Sequence, residues 1–162
     1  MQAMHKLTYL LSVLLMSASA AFAAPVVLEQ PLPTLALQDQ HTQPWGVKAD
    51  TRLVVFAAGR KPSNLVMEVL GAQAKGFLES RQALYVADMS RMPGFVTRTF
   101  ALPALLDQPF AVVVNLDDKQ LADWPRQEDA ITLIRLEGGR VNSISYVRTA
   151  AELKSALGIA TP

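Results

Sequence analysis

The sequence predicts an α/β fold, with a central mixed β-sheet flanked by helices and an N-terminal β-hairpin. Short continuous apolar runs are typical of strands buried on both faces of a parallel sheet. They are Leu53–Ala57, Leu84–Ala87 and Phe110–Leu116. Between these runs lie segments with apolar residues at helical spacing. Near the end, Ile131–Leu136 and Val141–Val147 alternate apolar and polar residues around Gly138 and Gly139, which predicts an antiparallel hairpin.

Two segments are predicted to precede the domain that begins at residue 34. Residues 1–23 have the three parts of a secretory signal peptide: Lys6, the apolar stretch Leu7–Met16, and a small-x-small cleavage site at residues 21–23. An uncleaved membrane anchor is the alternative, but the apolar stretch is shorter than the ~20 residues that a spanning helix needs. We therefore expect a periplasmic or secreted protein without stable membrane insertion. Residues 24–33, with three prolines, are expected to be an extended lead-in.

Residues 34–158 are predicted to form one domain, followed by a short tail at residues 159–162. The segment Thr34–Val47 predicts the N-terminal hairpin, because Leu35 and Leu37 alternate with polar residues before a polar turn. After the strand at Leu53–Ala57, Pro62 suits the first position of a helix, where its missing N–H is no loss. Apolar residues then recur at helical spacing. They are Leu65, Val66, Val69, Leu70, Phe77 and Leu78.

Three more helices are predicted after the second strand. One begins near Pro93, and another covers Asp117–Trp124. The last is the best defined, because Thr149 and Glu152 have the spacing of a capping box and Gly158 suits the residue after the helix.

Charge and cysteine content exclude several classes of function. The chain has 15 basic and 14 acidic residues, and loss of Lys6 with the signal peptide leaves 14 of each. No basic run remains that would indicate binding to nucleic acid or an anionic membrane. The chain has no cysteine, so it forms no disulfide even in a compartment that permits one.

The segment Phe56–Asn64 (FAAGRKPSN) resembles a motif of the thioredoxin-like superfamily, especially its exported peroxiredoxin- and TlpA-like branches. There, a buried strand leads into C-P-x-C at the start of a helix. Pro62 matches the motif, Lys61 lies at the position of the attacking cysteine, and Asn64 lies at that of the resolving cysteine. The segments FAVVVNLDD and ITLIRLEGGRV are also similar to later elements of these proteins. The resemblance covers about residues 32–157 and implies a thioredoxin-like sandwich.

The same resemblance implies that the redox chemistry is absent. Thiol–disulfide exchange and thiol peroxidase chemistry both require a thiolate, which this chain cannot supply. Ala130 also lies where the superfamily has a cis-proline that faces the cysteines. We therefore expect no thiol-based activity.

The binding residues that we predict lie at the edge where the reactive cysteines would be. The strand order of the superfamily would bring Arg60, Lys61, Ser63 and Asn64 close to Asp88, at the edge where open α/β sheets bind ligands. Arg60 and Lys61 indicate either an anion site at a helix start or a solvated loop in which Lys61 pairs with Asp88. A second predicted contact patch is Trp124–Arg126, although Trp124 could equally cap the sheet edge.

Two chemical alternatives remain open at the same edge. Lys61 and Ser63 could form a nucleophilic pair, or Ser63 could satisfy backbone groups of the helix start. Met89 and Met92 offer thioethers that suit Cu(I), or they could be packing residues. The sequence therefore favours an exported, redox-inactive protein with a binding or accessory role toward an exported protein or a small anion. No cofactor is implied, and a non-thiol enzyme or copper-handling protein is the alternative.

Overall fold

The structure is a computed structural model that describes residues 24–160. The predicted signal peptide at residues 1–23 and the last two residues of the predicted tail lie outside the described residues. Within residues 24–160, no helix has the length and apolar character needed to cross a membrane.

Seven strands form one mixed sheet in the order β2-β1-β5-β4-β3-β6-β7. The strands are β1 (Leu37–Asp39), β2 (Pro44–Trp45), β3 (Leu53–Ala58), β4 (Ala83–Asp88), β5 (Val112–Asn115), β6 (Ile131–Glu137) and β7 (Arg140–Val147). The three central strands β3, β4 and β5 are parallel, and the remaining pairings are antiparallel. The predicted N-terminal hairpin is formed by β1 and β2, and the predicted C-terminal hairpin by β6 and β7.

The helices are α1 (Arg60–Gly71), α2 (Phe77–Ser80), α3 (Gly94–Val96), α4 (Leu102–Leu106) and α5 (Ala150–Ala156). A π-helical turn at Thr97–Ala101 joins α3 to α4. In this turn the Leu102 N–H donates to the Thr97 carbonyl, five residues back. Pro103 follows directly, and its ring would clash with the carbonyl four residues back in a regular α-helix. The wider turn accommodates the proline, so residues 94–106 continue as one helical segment.

Two apolar clusters cover the two faces of the sheet. On one face, α1, α2, α4 and α5 pack on alternate residues of the central strands, including Val55, Tyr85 and Ile131. On the other face, Phe56 and Val86 pack against the lead-in, the N-terminal hairpin and the β5–β6 connection. The residues that contribute include Val26 of the lead-in, Leu37 of β1, and Leu121 and Trp124 of the β5–β6 connection.

The lead-in pairs with the outer edge of the sheet. The Glu29 N–H donates to the Val141 carbonyl at 2.8 Å, and the Val141 N–H donates to the Gln30 carbonyl at 2.9 Å. This pairing covers the start of β7, which would otherwise be an open edge.

Three predicted helix positions need correction. Helix α1 begins at Arg60, so Pro62 occupies its third position, where an N–H also has no partner within the helix. Phe77 and Leu78 belong to the separate helix α2. The predicted helix at Asp117–Trp124 is wrong, because this segment forms consecutive turns. Its Asp117 carboxylate accepts the Lys119 N–H at 2.9 Å, which favours a turn over a helix.

Helix α5 has the capping box that the sequence predicted. The Glu152 N–H donates to the Thr149 hydroxyl at 3.2 Å, and the Glu152 carboxylate accepts the Thr149 N–H at 3.0 Å. At the other end, Gly158 has φ +67°, and the N–H groups of Gly158 and Ile159 donate to the Ser155 and Lys154 carbonyls. This is the Schellman arrangement, which satisfies two carbonyls of the last turn.

We predict that Thr149→Ala lowers the free energy of unfolding by about 1 kcal/mol, because it leaves an N–H of the first turn of α5 without a partner. Urea unfolding measures this change. Ser155→Ala, at an exposed site of the same helix, is the matched control and should change stability by less than about 0.5 kcal/mol. An equal loss in both variants would contradict a capping role.

The Glu152 carboxylate should make this contribution depend on pH. Hydrogen bonds from the backbone of Arg148 and from Thr149 lower the pKa of Glu152 below its ordinary value. The contribution is then present above the pKa of the unfolded chain and is lost as pH falls through the folded pKa. Glu152→Gln should therefore be less stable than the wild type at pH 6, and the two should converge at pH 2. An equal difference in the free energy of unfolding between the two proteins at pH 6 and pH 2, measured by urea unfolding, would contradict this role of Glu152.

Candidate functional site

The carboxyl edge of the parallel strands is formed by the ends of β3, β4 and β5. Because these strands run in the same direction, the first turn of α1, the loop after β4 and the β5–β6 connection all meet here. Gly59 makes the sharp turn from β3 into α1 with φ +99°, a backbone conformation that residues with a Cβ rarely adopt. Its N–H lies 3.4 Å from the Asp88 carbonyl. The strand order thus brings the predicted residues of α1 beside Asp88.

The first turn of α1 presents three polar side chains to solvent: Arg60, Lys61 and Asn64. The Lys61 Nζ pairs with the Asp129 Oδ2 at 2.7 Å, and the two side chains are 73% and 49% exposed. The predicted pairing of Lys61 with Asp88 is therefore wrong. No side chain caps the start of α1, so Arg60 and Lys61 extend from an uncapped helix end.

Asp88 is buried and holds the β5–β6 connection against the sheet. Its Oδ2 accepts from the Arg126 Nη1 at 3.0 Å, and the two side chains are 3% and 22% exposed. Its Oδ1 accepts from the Asn115 side chain at 2.9 Å and from the Ser90 N–H at 3.1 Å. The carboxylate thus joins β4, β5 and the loop after each strand. We call the Asp88–Arg126 pair the clasp.

The clasp lies over an aromatic cluster. The Arg126 guanidinium lies 5.5 Å from the centre of the Phe56 ring, and it also donates to the Leu121 carbonyl. The Trp124 ring meets Phe56 edge-on with 5.1 Å between ring centres. Trp124 is only 2% exposed, so it caps the sheet and is not part of a surface patch. The contact role predicted for Trp124 has no support here, and Arg126 acts chiefly within the fold.

Ser63 faces inward, under the first turn of α1, toward Tyr85 of β4. Burial raises the pKa of Tyr85 to about 12, an effect that the Ser63 side chain only partly offsets. The Tyr85 hydroxyl has no partner at hydrogen-bonding geometry among the described residues. Since Ser63 faces this buried phenol and Lys61 is exposed and paired with Asp129, the two do not form the arrangement of a nucleophilic pair.

Ala130 lies beside the turn at the start of α1. The register of β3 with β6 pairs Ala57 with Ile131, which carries Ala130 to Ala58, next to Gly59. Ala130 is buried, and its N–H donates to the Gln127 carbonyl at 3.2 Å. Residues 24–160 contain no cis peptide bond. Ala130 therefore lies next to the start of α1, where the resemblance places the cis-proline, but it is an alanine in a trans peptide.

Met89 and Met92 both pack on the helical face of the core, Met89 fully buried and Met92 partly. This agrees with the packing interpretation of the two residues. The described residues contain no cluster of three or more His, Asp or Glu side chains with the geometry of a metal site.

Sequence reasoning missed one surface near the edge. The helix predicted near Pro93 includes Phe95 and Phe100, and the strand predicted at Phe110–Leu116 includes Leu116, but all three side chains are more than half exposed. Arg98 lies between Phe95 and Phe100 in the sequence and lines two grooves together with Leu116. The signal in the sequence is that residues 94–106 contain only one charged residue, Arg98, so the solvent face of this segment must be partly apolar.

We predict that Asp88→Ala lowers the free energy of unfolding by about 3 kcal/mol, because it leaves Arg126 and Asn115 without their shared acceptor in a largely buried site. Lys61→Gln, which removes the exposed ion pair, should cost less than about 1 kcal/mol. Urea unfolding monitored by tryptophan fluorescence measures both. Equal effects of the two substitutions would contradict the structural role of the clasp.

We predict that Tyr85→Phe raises the free energy of unfolding at pH 7 by about 1 kcal/mol, because it removes a buried hydroxyl without a partner. The wild type should also lose stability as pH rises from about 10 toward about 12, since the unfolded chain ionises at Tyr85 before the folded protein does. Tyr85→Phe should lose less over the same range. Tyr146→Phe, at a partly exposed site of β7, is the control; a destabilised Tyr85→Phe would reveal a hydrogen bond to the phenol.

No protein-family model matches the sequence, and neither does any curated protein. Solved structures do match. A hypothetical protein from Sinorhizobium meliloti aligns with TM-score 0.54 and 16% identity, covering 85% of this chain and 86% of that chain. A putative thioredoxin from Neisseria meningitidis aligns with TM-score 0.53 and 14% identity, covering 82% and 89%. A putative protein disulfide isomerase from Bacteroides thetaiotaomicron aligns with TM-score 0.51 and 9% identity, covering 85% and 90%.

At these identities the likeness concerns the fold alone. It agrees with the mixed seven-stranded sheet, with α1 following the central strand β3, and with the hairpin and helix that end the domain. The chain therefore has the thioredoxin-like fold, and it has it without a single cysteine.

Proposed function

We propose that this protein is a redox-inactive thioredoxin-like protein with a binding role, and that the carboxyl edge of its sheet is the recognition surface. The observation that carries the proposal is the division of polar groups at this edge. Asp88 and Arg126 pair with each other and hold the fold together, and Ser63 is partly buried, whereas Arg60, Lys61 and Asn64 face solvent. The edge thus presents charged and amide groups for contact and no buried reactive group.

The absence of thiol chemistry follows from the sequence. A reversible disulfide couple and a peroxide-reducing thiolate both need cysteine, and none of the 162 residues is cysteine. A non-thiol enzyme at the same edge has less support. An activated lysine requires a desolvated site, but Lys61 is 73% exposed and paired with Asp129.

A protein partner fits the edge better than a small anion does. Within the first turn of α1, Pro62 has no N–H and the Ser63 N–H is 3.3 Å from the Gly59 carbonyl, which leaves few donors for an anion. Asp129 already neutralises the charge of Lys61. An open surface with separated charges matches the polar rim of a protein interface.

The proposed place of action is the periplasm or the extracellular space. The support for this is the signal-peptide pattern of residues 1–23, which also makes another exported protein the expected partner. Copper handling has little support in this proposal, because Met89 is buried and Met92 packs on the core.

We predict that reversing the two charges of the helix start removes partner capture. The wild type and the variant Arg60→Glu with Lys61→Glu would serve as bait in periplasmic extract of the source organism, with bound proteins quantified by mass spectrometry. We expect at least a tenfold loss of the captured partner, because opposite charges at a complementary interface become like charges.

The matched control is Lys48→Glu with Arg52→Glu, two exposed cations at the opposite end of β3. It makes the same change in net charge and should capture the partner as the wild type does. Circular dichroism would verify that all three proteins are folded. Equal capture by all three would place the partner elsewhere, and no capture by any would remove the support for a protein-binding role.

A further inference from the structure

Two shallow grooves flank Arg98 beside the carboxyl edge. The first, of about 310 Å³, is lined by Met89, Ser90, Met92, Gly94 and Thr97, and we call it the Met92 groove. The second, of about 240 Å³, lies between α4 and β1 and is lined by residues that include Leu102, Pro103, Leu106 and Val114; we call it the α4 groove. Arg98 and Leu116 line both grooves. They therefore form the ridge between the two.

Exposed apolar side chains lie in the grooves and on the helical segment that carries Arg98. Of the six large apolar residues that are strongly exposed in residues 24–160, Leu116 (55%) and Leu106 (48%) line the grooves, and Phe95 (71%) and Phe100 (62%) lie on the segment of Arg98. Phe95 and Phe100 contact each other edge-on with 6.1 Å between ring centres. A contiguous exposed apolar patch next to charged residues is typical of a protein-binding surface.

The cation on the ridge has no acidic partner. The described residues form two ion pairs, Lys61–Asp129 and Asp88–Arg126, and Arg98 belongs to neither. No carboxylate lines the Met92 groove. Asp39 lines the α4 groove, but its Oδ1 already accepts the N–H groups of His41 and Gln43 at 2.8 and 2.9 Å.

Gly94, which has no side chain, leaves room for the guanidinium of Arg98. The Arg98 Nε lies 3.3 Å from the Gly94 carbonyl oxygen. A Cβ at Gly94 would lie 3.1 Å from the Arg98 Nη2, so the guanidinium would have to shift by a few tenths of an ångström. The guanidinium of Arg98 thus lies over the start of α3, where it lines the Met92 groove together with Gly94.

We propose that these two grooves bind an extended peptide segment in which an acidic side chain lies between two apolar side chains. The apolar side chains occupy the Met92 and α4 grooves, and the carboxylate pairs with Arg98 on the ridge. The inference rests on the proposed binding role and names the chemistry of the partner. The Met89 and Met92 side chains that line one groove suit such a partner, because methionine adapts to differently shaped apolar groups.

The central position of the cation favours a peptide over two other occupants. A fatty acid has its carboxylate at one end, so it would fill one groove and leave the other open. A second copy of this chain, related by a two-fold axis through Leu116, would bring two Arg98 side chains together and place like charges in contact. A peptide can place a carboxylate in the middle of its contact with the protein.

The test is selection from a displayed library of random twelve-residue peptides against the folded protein of residues 24–162. Enriched peptides would be synthesised, and their affinities measured by fluorescence anisotropy for the wild type, Arg98→Gln and Arg52→Gln. We expect enriched sequences with Asp or Glu between apolar residues, at least tenfold weaker binding to Arg98→Gln, and binding to Arg52→Gln within twofold of the wild type. Replacing the acidic residue of the peptide by its amide should have the same effect as Arg98→Gln.

A second variant, Gly94→Ala, tests the arrangement without changing any charge. It should weaken binding of the same peptides less than Arg98→Gln does, because its methyl group shifts the guanidinium by only a few tenths of an ångström. Chemical-shift changes in NMR spectra should map to residues 89–98 and Leu116.

Several results would overturn the proposal. They are the absence of any enriched peptide, enriched peptides without an acidic residue, and equal affinity for the wild type and Arg98→Gln. Binding of oleate that depends on Arg98 when no peptide binds would assign the grooves to a fatty acid. A dimer in sedimentation velocity that Leu116→Gln dissociates would assign them to a second copy. If partner capture depends on Arg60 and Lys61 but no peptide depends on Arg98, the ligand class is wrong while the binding role stands.

Discussion

The clasp between Asp88 and Arg126 is the interaction on which the second face of the sheet depends. No helix covers this face in the part of the chain that the structure describes; the turns and irregular loop of residues 117–130 do so instead. Turns do not satisfy their own backbone groups as a helix does, so this connection needs partners elsewhere. Arg126 is one such partner, because its guanidinium donates to the Leu121 carbonyl of the connection. The same guanidinium binds the Asp88 carboxylate and lies over the face of Phe56, which holds the connection on the sheet.

This use of Asp88 has a chemical consequence at the carboxyl edge. A buried carboxylate there could act as a proton acceptor, but here it accepts from Arg126, Asn115 and Ser90 at once. Both oxygens of the Asp88 carboxylate are therefore engaged within the fold. The polar groups beneath the edge thus stabilise the fold, and the side chains left for contact are those on its outer rim.

Much of the fold could be predicted from local patterns, and much of the site could not. Continuous apolar runs identified β3, β4 and β5, and the spacing of Thr149 and Glu152 identified α5, because burial and capping are read from neighbouring residues. The ion pairs join residues far apart: Lys61 and Asp129 are 68 positions apart, and Asp88 and Arg126 are 38. Their pairing depends on the path of the β5–β6 connection, which was wrongly predicted as a helix.

Phe95 and Trp124 show the same limit for aromatic residues. The sequence left open whether Trp124 forms a contact patch or caps the sheet edge, and it placed Phe95 in a helix. In the structure Trp124 is buried against Phe56, and Phe95 is exposed. The turns at residues 117–124 bring Trp124 over the sheet, where the clasp holds it. The π-helical turn before Pro103 allows residues 94–106 to continue as one segment with Phe95 and Phe100 facing solvent. Arg98, which forms no ion pair among the described residues, lies on the same segment. One helical segment thus carries a cation and two apolar side chains that the packing of the fold does not use.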